Sequence, residues 1–211
     1  MNVEVVSTTR RCGRYVSLTF DDGPDPIYTP QILDLLRSWD IRAVFCLIGQ
    51  HALQFPEIVR RIAADGHVIA NHTMSHPDLQ QCSYAEIAQE VDDAGRAIQE
   101  VLPEVSIEYF RAPFGSWSSD VLRKVEEAEM TPLGWSVDTR DWANPGVPNL
   151  VSLILREIRD EGVVLLHDSV PPSEMPPNGS IGLRDQTVAT VRRIIPELHG
   201  QGFQFDLPAT R

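Results

Sequence analysis

The feature that most constrains the fold is an alternation running the length of the chain. Short apolar runs of strand length are each followed by a stretch of helical periodicity, with Gly, Pro, Asn or Asp at the switches. "YVSLTF" (15–20) predicts a first strand and "TPQILDLLRSW" (29–39) the helix after it. "IRAVFCLIG" (41–49) predicts a second strand, "FPEIVRRIAADG" (55–66) a helix stopped by Gly66, and "HVIAN" (67–71) a third strand. The next helix, over 83–102, opens with Ser83 and Glu86 in capping-box spacing and places Ile87, Val91, Ala94 and Ile98 on one face. Beyond it come a strand at "EYFRA" (108–112), a helix near 118–129 and a strand at "TPLGWSV" (131–137). A helix near 149–162, a strand at "VVLLH" (163–167), a helix through 185–202 and a closing strand at "FQFDL" (203–207) complete the pattern.

Strands this apolar have no face to give to water, so the expected fold is α/β, a parallel sheet covered by helices. So many units in 211 residues point to a closed or nearly closed barrel, with an open doubly wound sheet as the alternative. One domain over residues 15–211, after a lead-in over 1–14, is expected, since no repeat, low-complexity tract or linker interrupts the chain. The one irregular segment is "SVPPSEMPPNGSIGLR" (169–184), too broken by Pro and Gly for helix or strand.

Charge removes several function classes. A net charge of -12 and a pI near 4.8 leave no basic face for nucleic acid or an anionic membrane. Cys12, Cys46 and Cys82 are odd in number and lack CxxC spacing, so neither a disulfide framework nor a thiolate zinc site is indicated. No apolar run approaches the ~18 residues of a membrane span. The start "MNVEVVSTTRRCGRYV" lacks the apolar core of a signal peptide, which sets the expectation of a cytoplasmic protein, or a secreted one if a leader was removed.

In folds of this type, function collects at the carboxyl ends of the strands. Reading just past each expected strand gives Asp21 and Asp22, then His72 and His76, then Arg111, then Asp138 and Asp141, then His167 and Asp168. Two histidines four apart would project from one face of a helical turn toward a common point, an arrangement that suits a metal. The HExxH protease reading fails, because Thr73 stands where its Glu would be. A third ligand from another strand end would complete an open metal site, and one aspartate of "DDGP" is the natural donor. Its neighbour then remains as a base beside the metal-bound water.

The ordered stretches "TFDDGP", "HTMSH", "RAPFG", "DTRDW" and "VLLHD" resemble the NodB-homology polysaccharide deacetylases, the fourth carbohydrate esterase family, over nearly the whole chain. The resemblance implies a distorted (β/α) barrel of the polysaccharide deacetylase type, complete or incomplete. It further implies that Asp21 is the general base and that Asp22, His72 and His76 bind one divalent metal ion, zinc foremost, with cobalt, nickel or manganese as alternatives. Arg111 would orient Asp21, Asp141 would hold His167, and His167 would be the general acid. Trp142 and Leu165 would wall the acyl pocket. The Phe114 backbone N–H is a candidate oxyanion donor. Ala112, where the family usually has Pro, is a departure expected to loosen its loop. The implied activity is removal of the N-acetyl group from an acetamido sugar, whether in an oligo- or polysaccharide or a small conjugate. An O-acetyl xylan-type esterase and a catalytically silent sugar-binding module are the alternatives. Trp39 and Trp135 are expected in the core, Trp117 as a candidate sugar platform, and His51, His67 and His199 as structural. Asp138 and Asp168 are expected only to fix loops, and segment 169–184 to form a flap that narrows the site.

Overall fold

Strand β1 (Tyr15–Asp21) is buried along all but its first residue, as a central parallel strand must be. The computed structural model describes residues 4–177, 179 and 183–210. On one side of β1 lie β2 (Val44–Leu47), β3 (Val68–Asn71), β4 (Tyr109–Phe110) and β5 (Thr131–Pro132) in turn. On the other lie β7 (Gly162–His167) and then β6 (Val137–Asp138), while β8 (Gln204–Phe205) pairs with the start of β1. Every pairing is parallel.

Strands β5 and β6 stand at opposite ends of this order, yet Pro132 and Val137 are neighbours in sequence. Five residues span at most roughly 18 Å. A flat sheet would hold its outer strands about 29 Å apart at ~4.8 Å per step. The sheet therefore curls into a half-barrel with an open seam between β5 and β6. The segment before β1 lies along that seam: Val6 bridges Leu133 and Thr8 bridges Gly162, which covers exposed strand edges. The expected single strand over 131–137 is thus two strands on either side of the opening.

The two faces of β1 divide by the period of two. Val16, Leu18 and Phe20 pack outward with Phe45 and Leu47 among helix residues such as Ile32, Leu33, Val191 and Ile194. Val44, Cys46, Ala70, Tyr109 and Leu133 fill the barrel interior. Helices α1 (Tyr28–Ser38), α3 (Pro56–Ala64), α4 (Tyr84–Val101), α5 (Ser119–Glu127), α6 (Val147–Glu157) and α7 (Asp185–Gly200) form the outer layer, and α4 carries the expected Ser83–Glu86 capping box. An additional short helix, α2 (Gly49–Gln54), starts where the sequence pattern suggested a strand end. Trp39 is not in the core. It is 43% exposed and lies against His199, with ring centres 5.8 Å apart.

Candidate active site

The parallel register brings the titratable residues to one end. Asp21, the last residue of β1, lies level with Cys46 of β2 and with His167, the last of β7. Arg111 follows β4 directly, its N–H donating to Asn71 O at 2.9 Å. Around this rim Asp22, Thr73, His76, Phe114, Arg140 and Asn144 all hold positive φ. Left-handed backbone costs a side-chain-bearing residue about 1 kcal/mol or more, so such a cluster is retained where it aims functional groups.

Asp22, His72 and His76 are all buried, and one ligand atom from each lies within 4.8 Å of the others. Asp22 Oδ1 faces Nε2 of both histidines at 3.5 Å. The His72 ring is oriented from behind, Nδ1–H donating to Arg111 O at 2.7 Å, which leaves Nε2 as the forward nitrogen. Burial, together with His72 and His167, outweighs the pull of Asp22 and Asp21 on His76 and brings it down to about 4, so its imidazole is a neutral lone-pair donor. The two rings do not converge through helical geometry. Residues 72–76 form a loop, and the left-handed turns at Thr73 and His76 bring the ring centres within 4.9 Å. His51 Nδ1 contacts Asp22 O at 2.7 Å and so supports the ligand's main chain.

Behind this cradle lies a second pair. Arg111 is fully buried, and Nη1 donates to Asp21 Oδ1 and to Thr19 Oγ1, each at 2.8 Å, while Nη2 donates to Gly134 O at 2.9 Å. One Asp21 oxygen is thereby committed to the guanidinium. The other, Oδ2, lies 3.8 Å from His72 Nε2, and Asp21 lines the cavity. Across the opening, the His167 ring donates Nδ1–H to Asp141 Oδ1 at 2.6 Å. Asp141 is fully buried and also accepts from His167 N at 2.9 Å and from Thr187 Oγ1 at 2.7 Å. Burial would lower His167, but the charge and hydrogen bond of Asp141, with Asp22 and Asp21 beyond, raise it to about 9. A protonated imidazole therefore faces Asp21 and Asp22 across the site.

The cavity between them encloses about 580 Å³ and is lined by Phe114, Trp142 and Leu165 together with Asp21, Asp22, His72, His76 and His167. Arg111 and Asp141 sit behind its wall. Phe114 and Trp142 are 61% and 54% exposed at the mouth. Ala112 keeps φ -72, the value a proline would impose, so the loop geometry survives the substitution. Trp135, expected in the core, instead lines the cavity. Its ring lies 5.7 Å from the Arg111 guanidinium and covers Gly115, where a Cβ would come within 2.6 Å of it. Reading 131–137 as one strand hid this position. Trp117 points away and packs edge-on to Phe110 at 6.1 Å. Asp138 lines the cavity and accepts from Arg140 N at 3.0 Å, whereas Asp168 is fully buried and accepts from Thr29 Oγ1 at 2.5 Å. Val170, Pro171, Glu174, Pro176, Leu183 and Arg184 border the opening, but residues 178 and 180–182 of the expected flap lie outside the described residues.

Comparison with known proteins adds a lineage to this geometry. The polysaccharide deacetylase profile matches residues 8–133, more than half of the chain. A chitooligosaccharide deacetylase of Sinorhizobium fredii is 46% identical over 188 residues, covering 89% of this chain and 87% of the relative. A solved peptidoglycan N-acetylglucosamine deacetylase superposes with a TM-score of 0.85 at 32% identity over 96% of this chain and 89% of its own. A family 4 carbohydrate esterase from Streptomyces lividans, solved in complex with acetate, gives 0.78 at 30% identity and 93% coverage of each chain.

Proposed function

This chain belongs to the polysaccharide deacetylase family and is a deacetylase, and from that premise we propose that it hydrolyses the N-acetyl group of an acetamido sugar at a divalent-metal site formed by Asp22, His72 and His76. The observation that carries the metal assignment is Asp22 Oδ1, a buried carboxylate oxygen with no hydrogen-bond partner among the described residues. Such an atom is costly unless a cation faces it. One carboxylate and two imidazoles suit zinc first, and cobalt, nickel or manganese next.

A divalent ion held there supplies Lewis-acid polarisation and acidifies water. The residues of the chain divide the remaining work. Asp21 Oδ2, free of Arg111, takes the proton from the attacking water, and Arg111 fixes the carboxylate by its bond to Oδ1. The Phe114 N–H meets the developing oxyanion, the kind of donor whose loss costs roughly 3 kcal/mol elsewhere. Trp142 and Leu165 enclose the acyl methyl. His167, its Nδ1–H held by Asp141, gives the Nε2 proton to the departing amine. An imidazole raised to about 9 suits an amine, which must be protonated to leave.

The test is acetate release from N-acetylglucosamine oligomers, acetylated xylan and small N-acetylglucosamine conjugates, before and after chelation. Release from the N-acetyl substrates, lost on chelation and restored by zinc, is expected. Faster release from xylan would make the enzyme an esterase, and sugar binding without acetate release would make it a silent binding module.

A pH prediction follows from the acid. Activity that needs protonated His167 is present below its pKa and lost above it. In Asp141→Asn the charge that raises this pKa is gone and burial remains, so the alkaline limb of kcat/KM is expected to move down by at least about one unit. An unmoved limb would assign the acid to another group.

A further inference from the structure

The loop that carries His72 and His76 is held from both sides by groups outside the cavity. Its carbonyls turn to α2: Thr73 O accepts from Gly49 N at 3.0 Å and Met74 O from Gln50 N at 3.1 Å. Its amides turn the other way, to a single carboxylate on α4. Glu90 Oε2 accepts from Met74 N at 2.9 Å and from Ser75 N at 2.8 Å, and Oε1 accepts from Ser75 Oγ at 2.8 Å. Within the loop, Asn71 Oδ1 accepts from Thr73 N at 2.9 Å and Thr73 Oγ1 from His76 N at 3.1 Å. The amides from Thr73 to His76 are thus all bonded to side chains, and two of the four depend on Glu90.

This matters because the loop is not a self-supporting structure. Thr73 and His76 both hold positive φ, at 66° and 64°, a conformation that a β-branched residue such as Thr73 leaves unless neighbours hold it. Met74 and Ser75 lie between those two positions, so bonds to their amides hold the segment that links one imidazole to the other. Glu90 itself does not line the cavity, and as a partly exposed helix residue it bears little core packing.

We propose that Glu90 is a positioning residue which, through Met74 and Ser75, locks the loop in the form that turns both imidazoles toward Asp22, and thereby sets the affinity of the site for a divalent cation. The inference rests on the metal reading given above. Groups that orient metal ligands from behind typically contribute about 10- to 100-fold in affinity.

The chemistry of the bonds makes the variants discriminating. In Glu90→Gln the amide oxygen can still accept from both backbone N–H groups, and its NH₂ can donate to Ser75 Oγ, which accepts as readily as it donates. Glu90→Met keeps the length and apolar stem but offers no comparable acceptor. Glu90→Asp keeps the charge but is one methylene too short. Dissociation constants for zinc, and the visible spectrum of the cobalt-loaded protein, are to be measured alongside the thermal midpoint of each metal-free chain. Glu90→Gln is expected within about threefold of the parent, and Glu90→Met and Glu90→Asp at least about tenfold weaker, with metal-free midpoints close to the parent. Full-strength zinc binding by Glu90→Met and Glu90→Asp would overturn the proposal. So would a Glu90→Gln variant as weak as Glu90→Met, because the retained acceptor would then make no difference and the bonds to Met74 N and Ser75 N would not be what sets the affinity. A parent chain that binds neither ion would instead refute the metal site.

Discussion

Asp21→Asn is expected to lower kcat/KM for acetate release by about a thousandfold or more while the chain still takes up one divalent ion. The side chain keeps its size and can keep one bond to Arg111, but it can no longer accept the proton of the attacking water, and a general base contributes about 10² to 10⁴ in rate. Asp22→Ala is expected to fail differently, losing metal and activity together, because its Oδ1 is the oxygen that faces both histidines. Metal content and steady-state kinetics on the two variants separate the roles. Metal loss in Asp21→Asn with retention in Asp22→Ala would exchange the assignments of the two adjacent carboxylates.

Arg111→Met is expected to damage stability as much as activity. The guanidinium is fully buried and bonds Asp21, Thr19, Leu133 O and Gly134 O, so its removal strands a buried carboxylate and two carbonyl groups. Breaking a buried pair in this way costs about 3–5 kcal/mol. In a chain of this size that lowers the midpoint of thermal unfolding by roughly 6–20 °C. Much of the cost is the unpaired charge on Asp21, and the double variant with Asp21→Asn should therefore recover about 2 kcal/mol. Calorimetry on the metal-free proteins measures the cycle. Strictly additive losses would show that the pair is not energetically coupled.

Both predictions concern residues that were visible in the sequence, since a parallel strand that ends on a charged residue delivers it to one known end of the fold. Asp21, His72, Arg111 and His167 directly follow or close apolar runs whose two buried faces required a covered parallel sheet. The capping box at Ser83 is local chemistry and was equally legible. Less visible were features that depend on residues far apart in sequence. The run 131–137 has the composition of one strand, but its first residues pair with β4 and its last with β7. Only curling of the whole sheet explains the break, and with it the exposure of Trp135 to the cavity.

The sequence by itself determined which residues stand at the carboxyl ends of the strands, because the periodicity of apolar side chains is a local property of the chain. It also determined the fold class, because strands with no wet face have few other ways to be buried. The tertiary structure alone decided how those residues meet. His72 and His76 converge through left-handed backbone held by α2 and by Glu90 of α4, not through a helical turn. His167 is raised by Asp141, which is itself held by Thr187 from the start of the last helix. Hydrogen bonds between groups 15 to 46 residues apart create these arrangements, and no local pattern of residue types encodes a partner that the chain reaches only after it has folded.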